Sequence, residues 1–120
     1  MPDDSSGDLP DDVVAVLAAL LSSDRPGFAE LRGQIPYART TEPCGCGCAT
    51  VSLEVTRDGV EPAAAAANPV AEADVSTTDG RLGGVLLFVA DGYLSLLEIY
   101  SLEEEPFATW PRADELTVRP

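Results

Sequence analysis

Three cysteines are the residues of this chain whose type and spacing first suggest chemistry. Cys44, Cys46 and Cys48 alternate with single glycines in the stretch CGCGC, and the 120-residue sequence has no other cysteine. Thiolates bind Zn²⁺ and Cu⁺ well, so the triplet is a candidate metal or thiol site. Because the sequence has no histidine, a fourth zinc ligand has to be a carboxylate, a water or a group from a second subunit.

Geometry leaves a second interpretation of the triplet open. Residues two apart on a strand point the same way, so on a strand the thiols form one row with Cα atoms about 6.5 Å apart. That spacing is at the upper edge for a disulfide. The glycines also suit a bulge or a close approach of backbone, in which the cysteines act as small, semi-apolar structural residues. Both a metal or thiol site and plain structure stay open.

The inventory of reactive side chains argues against an enzyme. The chain has no histidine and no lysine, which excludes a Ser-His-Asp triad and a Schiff-base lysine. A nucleophilic cysteine needs electropositive surroundings, and only Arg39 is close to the triplet in sequence. No pair of catalytic groups can be placed, so we expect no enzymatic activity.

The charge of the chain points to a different class of function. With 21 acidic and 7 basic residues the net charge is −14. Such a surface repels nucleic acid and anionic membranes and attracts basic partners. The predicted partner-binding residues are Glu98, which interrupts the apolar run LSLLEIY, together with Tyr100, Glu103, Glu104 and Glu105. The alternatives are a strand position that faces solvent for Glu98, a solvated end of the hairpin for the other three glutamates, and a place in the core or at its rim for Tyr100.

The N-terminus indicates the domain organisation. Residues 1–8 are acidic and polar, which predicts a mobile tail before a single domain over residues 9–120. A secretory signal would be basic here, and the next apolar stretch is too short for a membrane span. The sequence therefore predicts a cytoplasmic protein.

Helical periodicity marks the first part of the domain. A helix is expected after Pro10, with apolar residues at helical spacing: Val13, Val16, Leu17, Leu20 and Leu21. A short second helix, carrying Phe28 and Leu31, is expected to end near Gly33 because Pro36 disfavours helical geometry at Ile35.

Strand patterns follow. Residues 49–56 alternate between apolar and polar, and VAEADVST suits a second, edge-like strand. Asp91 and Gly92 lie between two apolar runs and predict a tight hairpin. Because both faces of that hairpin carry apolar residues, we expect it to be covered on both sides, or to leave one face for a partner, which also permits a homodimer.

These elements predict an α+β fold, with an N-terminal helix or helix pair packed on a mostly antiparallel meander of about four strands. The combination of LRGQIPYARTTEPCGCGCATVSLEV with GGVLLFVADGYLSLLEIYSLEEEPF resembles a family of small actinobacterial proteins of no known function. The resemblance covers about residues 28 to 107 and implies a common fold without an activity. The sequence thus favours a small acidic binding protein, similar in gross character to immunity proteins, over a zinc or copper module at the cysteines.

Overall fold

The structure is a computed structural model that describes residues 9–43, 49–64 and 68–119. Within these residues it contains two α-helices, two single 3-10 turns and one six-stranded sheet. The helices are α1 (Asp11–Leu20) and α2 (Phe28–Gln34), and the 3-10 turns span Ile35–Tyr37 and Ala113–Glu115. The strands are β1 (Ala38–Pro43), β2 (Val51–Val55), β3 (Ala71–Ser76), β4 (Leu82–Ala90), β5 (Tyr93–Ser101) and β6 (Leu116–Val118). The predicted α+β class is confirmed.

Both helices follow the sequence signals that predict them. Pro10 precedes α1, and Asp11 and Asp12 place negative charge in its first turn, where the helix dipole favours it. The side chains that α1 buries are those of the predicted stripe: Val13, Val16, Leu17 and Leu20. Helix α2 ends at Gln34, one residue beyond the predicted Gly33, because a 3-10 turn accommodates Pro36.

The sheet has more strands than predicted, in a different order. All its strands pair antiparallel, in the order β1-β2-β5-β4-β3-β6. The prediction of a four-stranded meander is wrong in number and order, because β1 and β6 join the sheet and β2 lies beside β5. The prediction of VAEADVST as an edge strand is also wrong, since β3 lies between β4 and β6.

The predicted hairpin is confirmed. Asp91 and Gly92 both have positive φ angles, 55° and 85°, as a two-residue turn between β4 and β5 requires. The strands pair from Gly83 opposite Ser101 to Phe88 opposite Leu96. Beyond that point Val89 lies opposite Leu94, so Ser95 is an extra residue that forms a β-bulge in β5.

One face of the sheet is buried. Its buried side chains include Ala71, Ala73 and Val75 of β3, Val85, Leu87 and Val89 of β4, and Leu97 and Ile99 of β5. They belong to the same hydrophobic cluster as the buried side chains of α1 and α2. Each large apolar side chain buried in such a cluster contributes about 1.5–3 kcal/mol to stability. In the described part of the chain, neither helix has the length and hydropathy to cross a membrane.

A buried glutamine connects α2 to the hairpin. Gln34 is the one fully buried polar side chain in the described ranges. Its amide nitrogen donates to the carbonyl oxygens of Glu61 and Gly92, at 3.1 and 2.9 Å. Its carbonyl oxygen accepts from the backbone N–H of Leu94 at 2.9 Å. Each polar atom of the side chain therefore has a partner, as burial requires.

Candidate binding surface

The cysteine triplet and the interpretations attached to it lie outside the described residues. The description ends at Pro43 and resumes at Ala49, whose N–H donates to the carbonyl of Phe107 at 2.7 Å. Over residues 9–43, 49–64 and 68–119, no group of three or more Cys, Asp or Glu side chains is placed to hold a metal ion. The zinc or copper site at Cys44, Cys46 and Cys48 therefore stays a prediction.

The chain that follows the triplet is fixed to the sheet by a side chain. The hydroxyl of Thr50 donates to the carbonyl of Ile99 at 3.2 Å and accepts from the N–H of Ile99 at 3.0 Å. These two bonds imitate a pair of backbone hydrogen bonds one residue before β2 begins. Thr50 thus extends the contact between β2 and β5.

The face of the sheet opposite the buried one, called the outer face here, has an apolar centre. Side chains directly opposite each other on paired strands share a face. The register places Leu86 opposite Glu98 and Phe88 opposite Leu96, and all four side chains are half-buried. Glu98 therefore shares this face with apolar residues, and in the described part of the chain it forms no ion pair.

Tyr100 lies on the outer face beside this centre. It is opposite Gly84 of β4 and is 38% exposed. A Cβ atom built on Gly84 would lie 2.3 Å from the Tyr100 hydroxyl and 2.6 Å from the ring atom Cε2. The ring therefore covers the glycine, a cross-strand arrangement that compensates for the missing side chain. Tyr100 therefore lies at the rim of the core and not within it, which is one of the two positions expected from the sequence.

Carboxylates flank the apolar centre on both sides. On β3, Glu72 and Asp74 share the outer face and both bond to Arg119, whose guanidinium lies 2.8 Å from Asp74. The hydrogen bond from Arg119 lowers the pKa of Asp74. On β2, Glu54 forms an ion pair with Arg39 directly across on β1. Four carboxylates thus stand against two guanidinium groups on the described outer face, which leaves it negative.

The predicted patch of five residues is divided between two places. Glu98 and Tyr100 lie on the outer face, whereas residues 103–105 form the turn after β5. In that turn Arg81 approaches Glu103 at 3.5 Å, donates to the carbonyl of Glu105 at 2.6 Å, and lies 4.2 Å from the ring centroid of Phe107. Glu103 therefore helps to fix the turn, and Glu104 is exposed with no ion pair among the described residues.

Sequence reasoning missed the side chains that flank the centre. The alternation of Glu72 and Asp74 with buried residues of β3 indicated that both point to one face. It did not indicate that β3 lies beside β4, which brings these carboxylates next to Leu86. The position of Leu96 could be predicted in part, since it lies two residues before Glu98 in the predicted hairpin and therefore on the same face.

Comparison with known proteins adds no relative to this description. No family model, curated protein or solved structure matches the chain. The resemblance to small actinobacterial proteins therefore stays a prediction, and any function has to be argued from the surface itself.

Proposed function

We propose that this chain is a small acidic binding protein whose outer face engages a basic protein partner. A net charge of −14 attracts such a partner over a distance and speeds its association. The single observation that carries the proposal is the half-buried apolar centre of the outer face, with the carboxylate of Glu98 unpaired among the described residues.

The residues of the centre fit the general anatomy of protein interfaces. Such interfaces have an apolar, aromatic-rich core and a polar rim. Leu86, Phe88 and Leu96 supply apolar area, and Tyr100 supplies a ring whose hydroxyl can bond to a partner. A lysine or arginine of the partner that covers these side chains also pairs with Glu98, which removes an uncompensated charge from an apolar setting.

The charge of the outer face favours a basic partner over other occupants. A second copy of the chain would bring another net charge of −14 to the contact, and both copies would repel each other. Nucleic acid and anionic membrane are repelled for the same reason. We accordingly propose a cytoplasmic, non-enzymatic binding protein, of which an immunity protein that neutralises a basic toxin is one form.

The experiment compares two charge reversals that alter the net charge equally. Glu98→Arg changes the outer face, and Glu30→Arg changes an exposed position on α2. Immobilised wild-type protein and both variants are presented with an actinobacterial lysate, and the retained proteins are identified by mass spectrometry. Each retained basic protein is then purified, and its dissociation constant is measured against all three forms by calorimetry.

The proposal expects a purified basic partner to bind wild type and Glu30→Arg alike, within about threefold. It expects Glu98→Arg to weaken binding by at least about tenfold, or 1.4 kcal/mol. Affinity should also fall as salt rises from about 50 mM to about 500 mM, because screening weakens the attraction. If both variants lose affinity equally, the net charge acts without a defined surface and the outer face is not the binding site. If the affinity does not change with salt concentration, electrostatic attraction does not contribute to binding.

A metal-binding or thiol module remains the second candidate function, because the sequence contains three closely spaced cysteines. Elemental analysis of untagged protein and thiol titration separate the two functions. The binding protein needs no metal, so we expect less than a stoichiometric amount of zinc or copper. Near-stoichiometric metal with unreactive thiols, and a large loss of thermal stability on adding a chelator, would favour the module at Cys44, Cys46 and Cys48 instead.

A further inference from the structure

The apolar surface of the outer face continues beyond its centre, toward the start of β4. Leu82 shares this face with Leu86 and Phe88, because alternate residues of a strand point the same way, and it is 47% exposed. Leu102, the residue after β5, donates its N–H to the carbonyl of Leu82 at 3.0 Å and is 68% exposed. The apolar stripe is defined here as Leu82, Leu86, Phe88, Leu96, Tyr100 and Leu102.

Polar and acidic side chains border the apolar stripe along both neighbouring strands. On β3 the residues of the outer face include Glu72 and Asp74, and on β2 they are Ser52 and Glu54. The stripe is therefore only as wide as β4 and β5 together, which is about 10 Å.

The dimensions of the stripe match those of one short helix. From Leu82 to Phe88, β4 advances 88 − 82 = 6 residues, or about 20 Å at about 3.4 Å per residue. A helix of about 13 residues has the same length, and its diameter with side chains is about 10–12 Å. A second sheet on this face would be wider, and it would bury the carboxylates of β2 and β3 at a large cost in desolvation.

The main chain of the stripe also favours a helix as the occupant. β4 lies between β3 and β5, and its main-chain groups pair with those two strands. An occupant of this face therefore contributes side chains, and it has to satisfy its own main-chain groups, because burying them unpaired is costly. A helix satisfies them internally, and it presents one apolar face with polar residues on both sides.

The charge of the outer face determines which polar residues suit that helix. Four carboxylates stand against two guanidinium groups among the described residues of this face. One of the four, that of Glu98, lies within the stripe opposite Leu86. Lysine and arginine side chains can cover apolar surface with their stems while their charged ends reach carboxylates at its border. Basic residues on both sides of the apolar face of the helix therefore complement the stripe.

We propose that the apolar stripe is the docking site of a basic amphipathic helix of the protein partner. Such a helix has apolar residues at i, i+3, i+4 and i+7 with lysine or arginine on each side, and packing an apolar helix face against apolar surface is a general mode of recognition. The inference rests on the proposed function and specifies which part of the partner binds. A second copy of this chain is a poor occupant, because α1 has two aspartates and no basic residue and α2 has one residue of each charge.

The test uses two synthetic peptides of identical composition, each about 18 residues long and made of leucine, alanine and arginine. In the stripe peptide the leucines lie on one face of the helix, and in the shuffled peptide they are distributed around it. Fluorescence anisotropy measures the binding of each labelled peptide at about 150 mM salt. Because both peptides carry the same charge, attraction by net charge alone binds them equally. The stripe peptide should bind wild type at least about tenfold more tightly than the shuffled peptide.

Two variants of the protein locate the bound peptide. Leu82→Glu alters the stripe, and Tyr37→Glu alters a side chain beside α2 that is 55% exposed. Each variant adds one negative charge, so attraction by net charge falls in neither. Leu82→Glu should bind the stripe peptide at least about fivefold more weakly, and Tyr37→Glu should bind it within about twofold of wild type.

A second measurement does not depend on a variant. Binding to wild type should increase the helical circular dichroism of the stripe peptide, and it should shift the amide resonances of β4 and β5 more than those of α1. The inference is overturned if the two peptides bind alike, if Leu82→Glu binds as well as wild type, or if the bound peptide is not helical. A dimer of the protein that sedimentation detects and that Leu82→Glu dissociates would identify a second copy as the occupant and would also overturn it. The proposed function fails separately, when Glu98→Arg and Glu30→Arg affect a purified partner alike.

Discussion

The side-chain carbonyl of Gln34 accepts a hydrogen bond from the backbone N–H of Leu94, at 2.9 Å, in the place where a strand would otherwise bond. The bulge at Ser95 and the end of the β2–β5 pairing leave this N–H without a backbone partner. A side chain from α2 thus compensates for an irregularity in β5, and it links the helix to the hairpin turn through Gly92 at the same time.

Replacing Gln34 should therefore lower the free energy of unfolding. Gln34→Leu introduces an apolar side chain of similar size and leaves the buried N–H of Leu94 without a partner. The carbonyl of Gly92 keeps its bond from the N–H of Ala63, and Glu61 is exposed, so its carbonyl can bond to water. One unsatisfied buried group costs about 1–3 kcal/mol, and we expect a loss in that range. Urea unfolding measures the change. Glu30→Leu on the exposed face of α2 is the control, and an equal loss there would contradict the assignment.

Two adjacent glycines of β4 should respond differently to the same change. A Cβ on Gly83 would lie 2.2 Å from the backbone oxygen of Tyr100 and 2.7 Å from the Phe107 ring, so the strands have to move apart. The three atoms nearest to a Cβ on Gly84 all belong to the Tyr100 side chain, which can rotate away. We expect Gly83→Ala to destabilise by about 1–3 kcal/mol and Gly84→Ala by clearly less. Thermal unfolding ranks the two.

Gly84→Ala also tests the role of Tyr100 in binding, because it should displace the ring without unfolding the sheet. If Tyr100 contributes to the proposed interface, this variant should weaken partner binding while keeping near-normal stability. Unchanged affinity with a displaced ring would remove Tyr100 from the surface.

Thr50 should stabilise the junction between β2 and β5 through its hydroxyl. Thr50→Val has the same shape but removes both bonds to Ile99, and it leaves that backbone pair unsatisfied, at a cost of about 1–3 kcal/mol. Thr50→Ser keeps the hydroxyl and should lose much less. Chemical unfolding of the two variants decides the matter, because equal losses would attribute the effect to the methyl group.

The pairing of β6 with β3 should depend on pH through Asp74. Hydrogen bonding from Arg119 lowers the pKa of Asp74 from its usual 3.8. Since the folded pKa lies below the unfolded one, the stabilisation is present above 3.8 and is lost as the pH falls through the folded value. Asp74→Asn should be less stable than wild type at neutral pH, with a difference that shrinks on acidification. As a control, the same Asp74→Asn replacement made together with Arg119→Gln should show a smaller trend, because the hydrogen bond that lowers the pKa of Asp74 is then absent.

Local patterns predicted the parts of the fold that depend on neighbouring residues. The Asp91-Gly92 turn between two apolar runs specifies the hairpin, because the turn geometry and the strand pattern lie within one short segment. The stripe of α1 is equally local. Strand order was not predictable in this way, since Val51 pairs with Leu97 across a long stretch of chain, and β6 is too short to show a period.

For the candidate surface too, local patterns predicted some residues, whereas others depend on the strand order. Leu86, Phe88 and Glu98 could be assigned to a shared region from alternation within the hairpin. The carboxylates of Glu72 and Asp74 join them only because β3 pairs with β4 in the observed register. The bulge at Ser95 was not predicted, because an extra residue in a strand has no characteristic residue type.

The limited pairing between β2 and β5 also has a consequence for the order of folding. The β4–β5 hairpin closes through a two-residue turn, whereas joining β1 and β2 to it requires a contact between Val51 and Leu97, which are 97 − 51 = 46 residues apart. Such a closure has a larger entropic cost and slows folding. We therefore expect the hairpin to assemble early, and β1 and β2 to dock in the rate-limiting step.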